Sequence, residues 1–141
     1  LAIDLPEFNL QQVINLAKQN ELRLGEQGLT RLMELLGGHP YLVQSAIAHL
    51  KSQQVALEEL LILAPTEQGI FSDHLRQQLW HLQHNPQLEI GYKKVVMTNT
   101  PVRLDTEVAF KLHSLGLVKL VSNDCVPGYD LYRQYFSTRL E

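Results

Sequence analysis

Along the first half of the chain, apolar residues recur at helical spacing in four separate blocks. Leu10, Val13, Ile14 and Ala17 follow the i, i+3, i+4, i+7 pattern of one buried face. Asn9, with Gln12 three residues later, has the form of a capping box at the front of that helix. After a turn over Leu22 to Gly25, the pattern returns in Leu29, Leu32, Met33 and Leu36 and stops at Gly37-Gly38. Val43, Ala46, Ile47 and Leu50 form a third face behind Pro40, and Leu57, Leu60, Leu61 and Ala64 a short fourth one that Pro65 closes. Joints this short make consecutive helices pack side by side, so residues 1–64 are expected to form a four-helix bundle.

Residues 65–141 change character. Phe71, Leu75, Leu79 and Leu82 predict a helix over Gln68–His84, which Asn85-Pro86 interrupts and restarts. Leu88, Tyr92, Val95 and Val96 mark the next, up to Met97, and Thr98-Asn99-Thr100-Pro101 is a run of turn formers. Asp105 is placed to cap a helix carrying Val108, Ala109, Leu112 and Leu115, which Gly116 ends. Leu117 to Val121 is too short for a helix and reads as a strand, with Cys125-Val126-Pro127 returning after a turn at Ser122-Asn123-Asp124. Leu131, Tyr132, Tyr135 and Phe136 lie on a final helix. Three helices, a small β-hairpin and a closing helix predict a winged helix-turn-helix. The expected fold is therefore mainly α, a helical bundle followed by a winged helix, with a hinge near Ala64-Pro65-Thr66.

Composition narrows the function. The 141 residues carry 45% hydrophobic side chains and a formal net charge of −3, ordinary values for a globular protein. Residues 1–64 hold seven acids and four bases, and residues 65–141 hold eight of each, so neither half has the cationic excess of an electrostatic nucleic-acid binder. A single cysteine, Cys125, excludes an intrachain disulfide and fits a reducing cytoplasm. The apolar runs are far shorter than the ~18 residues of a membrane span. The chain starts with Leu1 and no leader pattern, and Leu1 to Pro6 reads as a linker; the expectation is a fragment of a longer protein.

The sequence offers few catalytic constellations. There is no Gly-x-x-x-x-Gly-Lys-Ser/Thr phosphate loop and no Gly-x-Ser-x-Gly elbow. Cys125 has no neighbouring cation to activate its thiol. His74, His81 and His84 share a helix, and 81 and 84 stand one turn apart, but no carboxylate or cysteine nearby completes a zinc site, so they read as polar-face residues. Trp80 between them is expected to pack against the bundle or cover the joint between the halves. The helix from Asp105 to Leu115 would be the recognition helix of a DNA reader, yet Thr106, Glu107, Lys111 and Ser114 face outward and only Lys111 is basic. A DNA-binding transcriptional regulator is thus the alternative to a protein-contact module, and a ligand-free scaffold a third reading.

The joint Gly37-Gly38-His39-Pro40-Tyr41-Leu42 has two readings. One is a glycine helix stop followed by a proline at the first position of the next helix. The other is a nucleotide contact, since a proline ring at a helix N-terminus offers a flat apolar face to a purine. The order of this joint, then Ala-Pro-Thr-Glu-x-Gly-Ile-Phe-Ser-Asp-His-Leu, Lys-Leu-His-Ser-Leu-Gly-Leu-Val and Asp-Leu-Tyr-Arg-Gln-Tyr-Phe, resembles the C-terminal part of a bacterial AAA-like ATPase domain. The resemblance runs from Leu5 to Leu140 and is to the signal-transduction ATPases with numerous domains. It implies a helical lid and a winged helix that close over ATP or ADP with magnesium, bound by an upstream P-loop core. It implies a cytoplasmic, non-catalytic regulatory piece whose partners are that core, other domains of the same protein and possible further copies of itself. Pro40, with Gly38 and His39, would face the adenine, although His39 also reads as a solvent-facing turn residue. Tyr129 stands where relatives place a histidine that senses the ADP phosphate; it could donate one hydrogen bond but brings no charge. Its other reading is a ring packed at the start of a helix that Asp130 caps.

Overall fold

The computed structural model describes residues 7–52 and 56–140; the Leu1–Pro6 linker lies outside them. Among the described residues the protein is mainly helical, with eight helices and one two-stranded antiparallel sheet. They divide into two units, one ending at Ser72 and the other starting at Asp73. No described helix is long and apolar enough to cross a membrane.

The first unit holds α1 (Leu10–Gln19), α2 (Gly25–Leu36), α3 (Pro40–Lys51) and α4 (Leu57–Leu63). The capping box forms: the Asn9 side chain accepts from the Gln12 N–H and the Gln12 side chain accepts from the Asn9 N–H, each at 2.9 Å. α1 ends in a Schellman arrangement, with the Leu22 N–H bonded to the Ala17 carbonyl at 2.9 Å and the Glu21 N–H to that of Lys18 at 3.0 Å. Glu21 occupies the left-handed position, at φ 59°, where glycine is usual. Each predicted face is buried at its centre, at Val13 and Ala17, at Leu29, Leu32 and Leu36, at Val43, Ala46, Ile47 and Leu50, and at Leu60 and Ala64; Leu10, Ile14, Met33, Leu57 and Leu61 are only half-buried, and Leu35 and Leu42 are buried as well. α1 packs on α2 and α3, and α2 on α4. The last contact is close: a Cβ at Gly28 would come within 2.8 Å of Leu57 Cδ2, and a forked ion pair between Arg31 and Glu58 spans the same two helices at the surface.

Residues 64–71 fold back on the end of α4. The Thr66 hydroxyl donates to the Leu63 carbonyl at 2.7 Å and accepts from the Gln68 N–H at 3.2 Å. A Cβ at Gly69 would collide with that same Leu63 oxygen. These turns engage the backbone that the hydrophobic spacing alone would assign to a helix, so the next helix starts at Ser72 rather than Gln68. Pro65 to Phe71, counted with the second half in the sequence reading, belongs to the first unit.

The second unit contains α5 (Ser72–Gln83, from its second residue), α6 (Pro86–Met97), α7 (Thr106–Ser114), β1 (Val118–Val121), β2 (Asp124–Pro127) and α8 (Asp130–Arg139). The hairpin register pairs Val118 with Pro127, Lys119 with Val126, Leu120 with Cys125 and Val121 with Asp124. β2 is paired on its other side as well: Val102 and Cys125 exchange backbone hydrogen bonds of 2.9 and 2.8 Å. Arg103 Nε, next to this bridge, donates to Asp124 Oδ1 at 2.6 Å. The sequence reading had no strand partner there, because one isolated residue after a proline carries no periodicity.

α6 organises the core. It packs on α7, α8 and β2, and a Cβ at Gly91 would lie 2.9 Å from Val108 Cγ1, so the glycine lets α7 approach. Tyr92 meets Phe136 edge-on at 5.3 Å, and Phe136 meets Tyr135 likewise at 5.0 Å. Trp80 is not a core residue: it is 54% exposed and stacks on His84 at 4.1 Å. Tyr92 is fully buried, and among the described residues its hydroxyl has no hydrogen-bond partner. An unsatisfied buried hydroxyl destabilises by about 1–3 kcal/mol. Tyr92→Phe is therefore expected to raise unfolding free energy by about 1 kcal/mol, after the small void it leaves. Urea denaturation with an unchanged slope checks this.

Candidate functional site

The joint between α2 and α3 is built from three successive backbone constraints. Gly37 ends α2 in the left-handed region at φ 62°, its N–H bonded to the Met33 carbonyl at 2.7 Å. Gly38 continues at φ 84°, and a Cβ there would collide with the Phe8 carbonyl oxygen. The Phe8 N–H in turn donates to the Gly38 carbonyl at 2.9 Å. Gly38 is thus held against the backbone of the segment entering α1.

His39 is the N-cap of α3. Its Nδ1 accepts from the Leu42 N–H at 3.4 Å, which places the ring as a substitute for the usual Ser, Thr, Asp or Asn. It is half-buried and edge-on to Tyr41 at 6.5 Å, so the expectation of a solvent-facing turn residue understates its role. Pro40 is the first residue of α3, half-buried, and Tyr41 beside it is 56% exposed. What the joint turns outward is therefore a proline ring and an aromatic ring. No acidic residue lies in the first turn of α3, and Leu42's N–H is already engaged by His39.

Tyr129 belongs to the second unit. It is the N-cap residue of α8, with extended backbone and no side-chain capping bond. Its ring meets Tyr132 edge-on at 5.3 Å and carries Lys119 Nζ 4.7 Å from its centroid. A positive charge does stand beside this tyrosine, delivered from β1, which linear spacing does not reveal. Asp130 is the first residue of α8 rather than its cap, and its carboxylate accepts from Gln134 Nε2 at 2.6 Å. Asp105 likewise occupies an N-cap position without a side-chain capping bond.

The three histidines divide. His81 and His84 contact Trp80, whereas His74 Nε2 lies 2.7 Å from the Tyr132 hydroxyl, with the two rings stacked at 5.9 Å. Among the described residues no group of three His, Cys, Asp or Glu side chains could hold a metal ion. Burial, aided by the Asp124 charge, pushes the Cys125 thiol above its ordinary range, the reverse of nucleophile activation. On the outward side of α7, Phe110 is 69% exposed, between Glu107 and Lys111, which pair with each other at 3.4 Å. Such a face offers apolar surface and a neutralised charge pair, unlike the cationic and amide-rich face of a groove reader.

The family comparison suggests an ATPase-associated module. The chain belongs to the AAA-like domain family, which matches residues 1–138. No curated protein and no solved structure matches it.

Two outcomes follow from the geometry. Gly38→Ala, strained by its positive φ and by the Phe8 carbonyl, is expected to lower stability by about 2–3 kcal/mol, measured by thermal or urea unfolding. Burial pushes the Tyr132 hydroxyl up to about 12, partly opposed by a hydrogen bond with Gln78. Because its folded value is raised, its contribution is complete below pH 10 and is lost as pH climbs through 12. The Tyr132 share of stability should fall by up to about 3 kcal/mol over that window, read as the difference between alkaline titrations of the protein and of Tyr132→Phe.

Proposed function

We propose that this chain is the helical lid and winged-helix part of a signalling ATPase of the class with numerous domains. In this reading it is a non-catalytic regulatory module. An upstream P-loop core binds ATP or ADP with magnesium, and this chain answers the nucleotide state by changing its contacts with that core, with other domains and with further copies. The observation that carries the reading is the joint at Gly38-His39-Pro40, in a chain of the AAA-like domain family. There, two left-handed glycines and a capping histidine hold Pro40 at the start of α3 with Tyr41 exposed beside it. Three helices, a hairpin and a closing helix in the second unit support the winged-helix assignment.

In the first unit Pro40, with Gly38 and His39, would face a base; in the second unit, taken by itself, Tyr129 with Lys119 beside it would offer a phosphate a hydrogen-bond donor and a charge. A lid of this kind shifts an equilibrium only through unequal contacts with the two nucleotides. The setting is the cytoplasm. The alternative of a transcriptional regulator loses support from the exposed Phe110 and the paired Glu107 and Lys111 on α7. Such a regulator would show duplex binding that weakens steeply with salt.

The test is Pro40→Ala in the full-length protein. Helix α3 should survive, since its cap and apolar face remain. ADP affinity should fall by about tenfold, equivalent to about 1.4 kcal/mol of lost contact, in isothermal titration. Unchanged affinity together with unchanged assembly would remove the lid role.

A further inference from the structure

A cleft opens beside the segment that carries the chain from α1 to α2. Left-handed backbone brackets Leu22-Arg23-Leu24, with Glu21 at φ 59° before it and Gly25 at φ 72° after it. Between them exposure alternates: Leu22 and Leu24 are half-buried and Arg23 is exposed. The cleft has a volume of about 370 Å³ and lies inside the first unit. Ala17 and Leu29, both buried, form its floor, and Ile14, Leu22 and Leu24 its walls. Its charged residues are Lys18 in the last turn of α1, Arg23, and Glu26 in the first turn of α2. All three are exposed, and among the described residues none is in an ion pair.

We propose that this cleft binds an amphipathic monocarboxylate, with a short apolar tail against Ile14, Ala17, Leu22 and Leu29 and its carboxylate at Lys18 and Arg23. Size, polarity and charge each narrow the occupant. A volume near 370 Å³ is at the small end for a ligand pocket, which suits a tail of a few methylenes rather than a helix. Burial of those methylenes supplies the affinity, because the floor and walls are aliphatic side chains with no donor or acceptor for a polar body. Lys18 and Arg23 against Glu26 leave a surplus of one positive charge at the rim. One carboxylate neutralises it, whereas an ammonium would face two cations and a neutral headgroup would leave the surplus standing. The Arg23 guanidinium is shaped to take a carboxylate through two parallel hydrogen bonds. Glu26 stands at the start of α2, where the helix itself favours its charge. This proposal is independent of the nucleotide reading, since none of these residues belongs to the joint at Gly38-His39-Pro40.

The experiment follows the methyl signals of Ile14, Leu22 and Leu29 by NMR as octanoate is added to the protein. These signals should shift saturably, with half-saturation near about 1 mM. Octylammonium, which has the same tail and the opposite charge, should bind about fivefold more weakly. Lys18→Gln combined with Arg23→Gln changes two exposed side chains and leaves the core intact. The double variant should bind octanoate about fivefold more weakly and lose the preference between the two amphiphiles. No saturable shift at those methyls, equal affinity for both amphiphiles, or a preference that survives the double variant would each overturn the proposal. Shifts that grow with protein concentration in the absence of octanoate would also overturn it, by making a second copy the occupant.

Discussion

The Phe8 carbonyl lies where a side chain at position 38 would begin, and the Phe8 N–H returns a hydrogen bond to the Gly38 oxygen. This reciprocal backbone contact fixes three things together: how the chain enters α1, how α2 stops and where α3 starts. Only glycine tolerates both the approach and the dihedral, so the joint cannot drift toward a longer α2 or an earlier α3. The orientation of Pro40 and Tyr41 is a consequence of that constraint. The two rings are placed here by main-chain geometry, with little dependence on flexible side chains. His39 adds to this by spending one ring nitrogen on the helix start.

The second unit rests on a different principle. Its order comes from aromatic rings meeting edge to face around α6 and α8, and from a strand paired on both sides. Gly91 permits the close packing of α7, which in turn turns Phe110 outward. Phe110 on that helix and Leu120 and Val121 on β1 are the large apolar side chains this packing leaves exposed.

Local chemistry was legible in the amino-acid order, and distant chemistry was not. The capping box at Asn9 and Gln12, the glycine stop of α2 and the proline start of α3 depend on residues within one turn of each other, and all formed where the spacing put them. The hairpin did too, from β-branched runs around a short turn. The start of α5 departs from the apolar repeat because Thr66 bonds back to the end of α4 and Gly69 lies close against it, a preference that outweighs that repeat. Val102 joined the sheet through a tertiary contact with no periodic trace. His39 was hidden as a cap because imidazole is an uncommon one. Within the candidate site, Pro40 stood out early, whereas the cation beside Tyr129 arrived from another element.

Cys125 has a consequence of its own. The only sulfur nucleophile in the chain is shut inside a strand clasped along both flanks, with no solvent contact. Oxidants and alkylating agents can reach it only during moments when those flanks part. Its modification rate therefore reads out how often the sheet breathes, and anything that seats against that sheet should slow the clock.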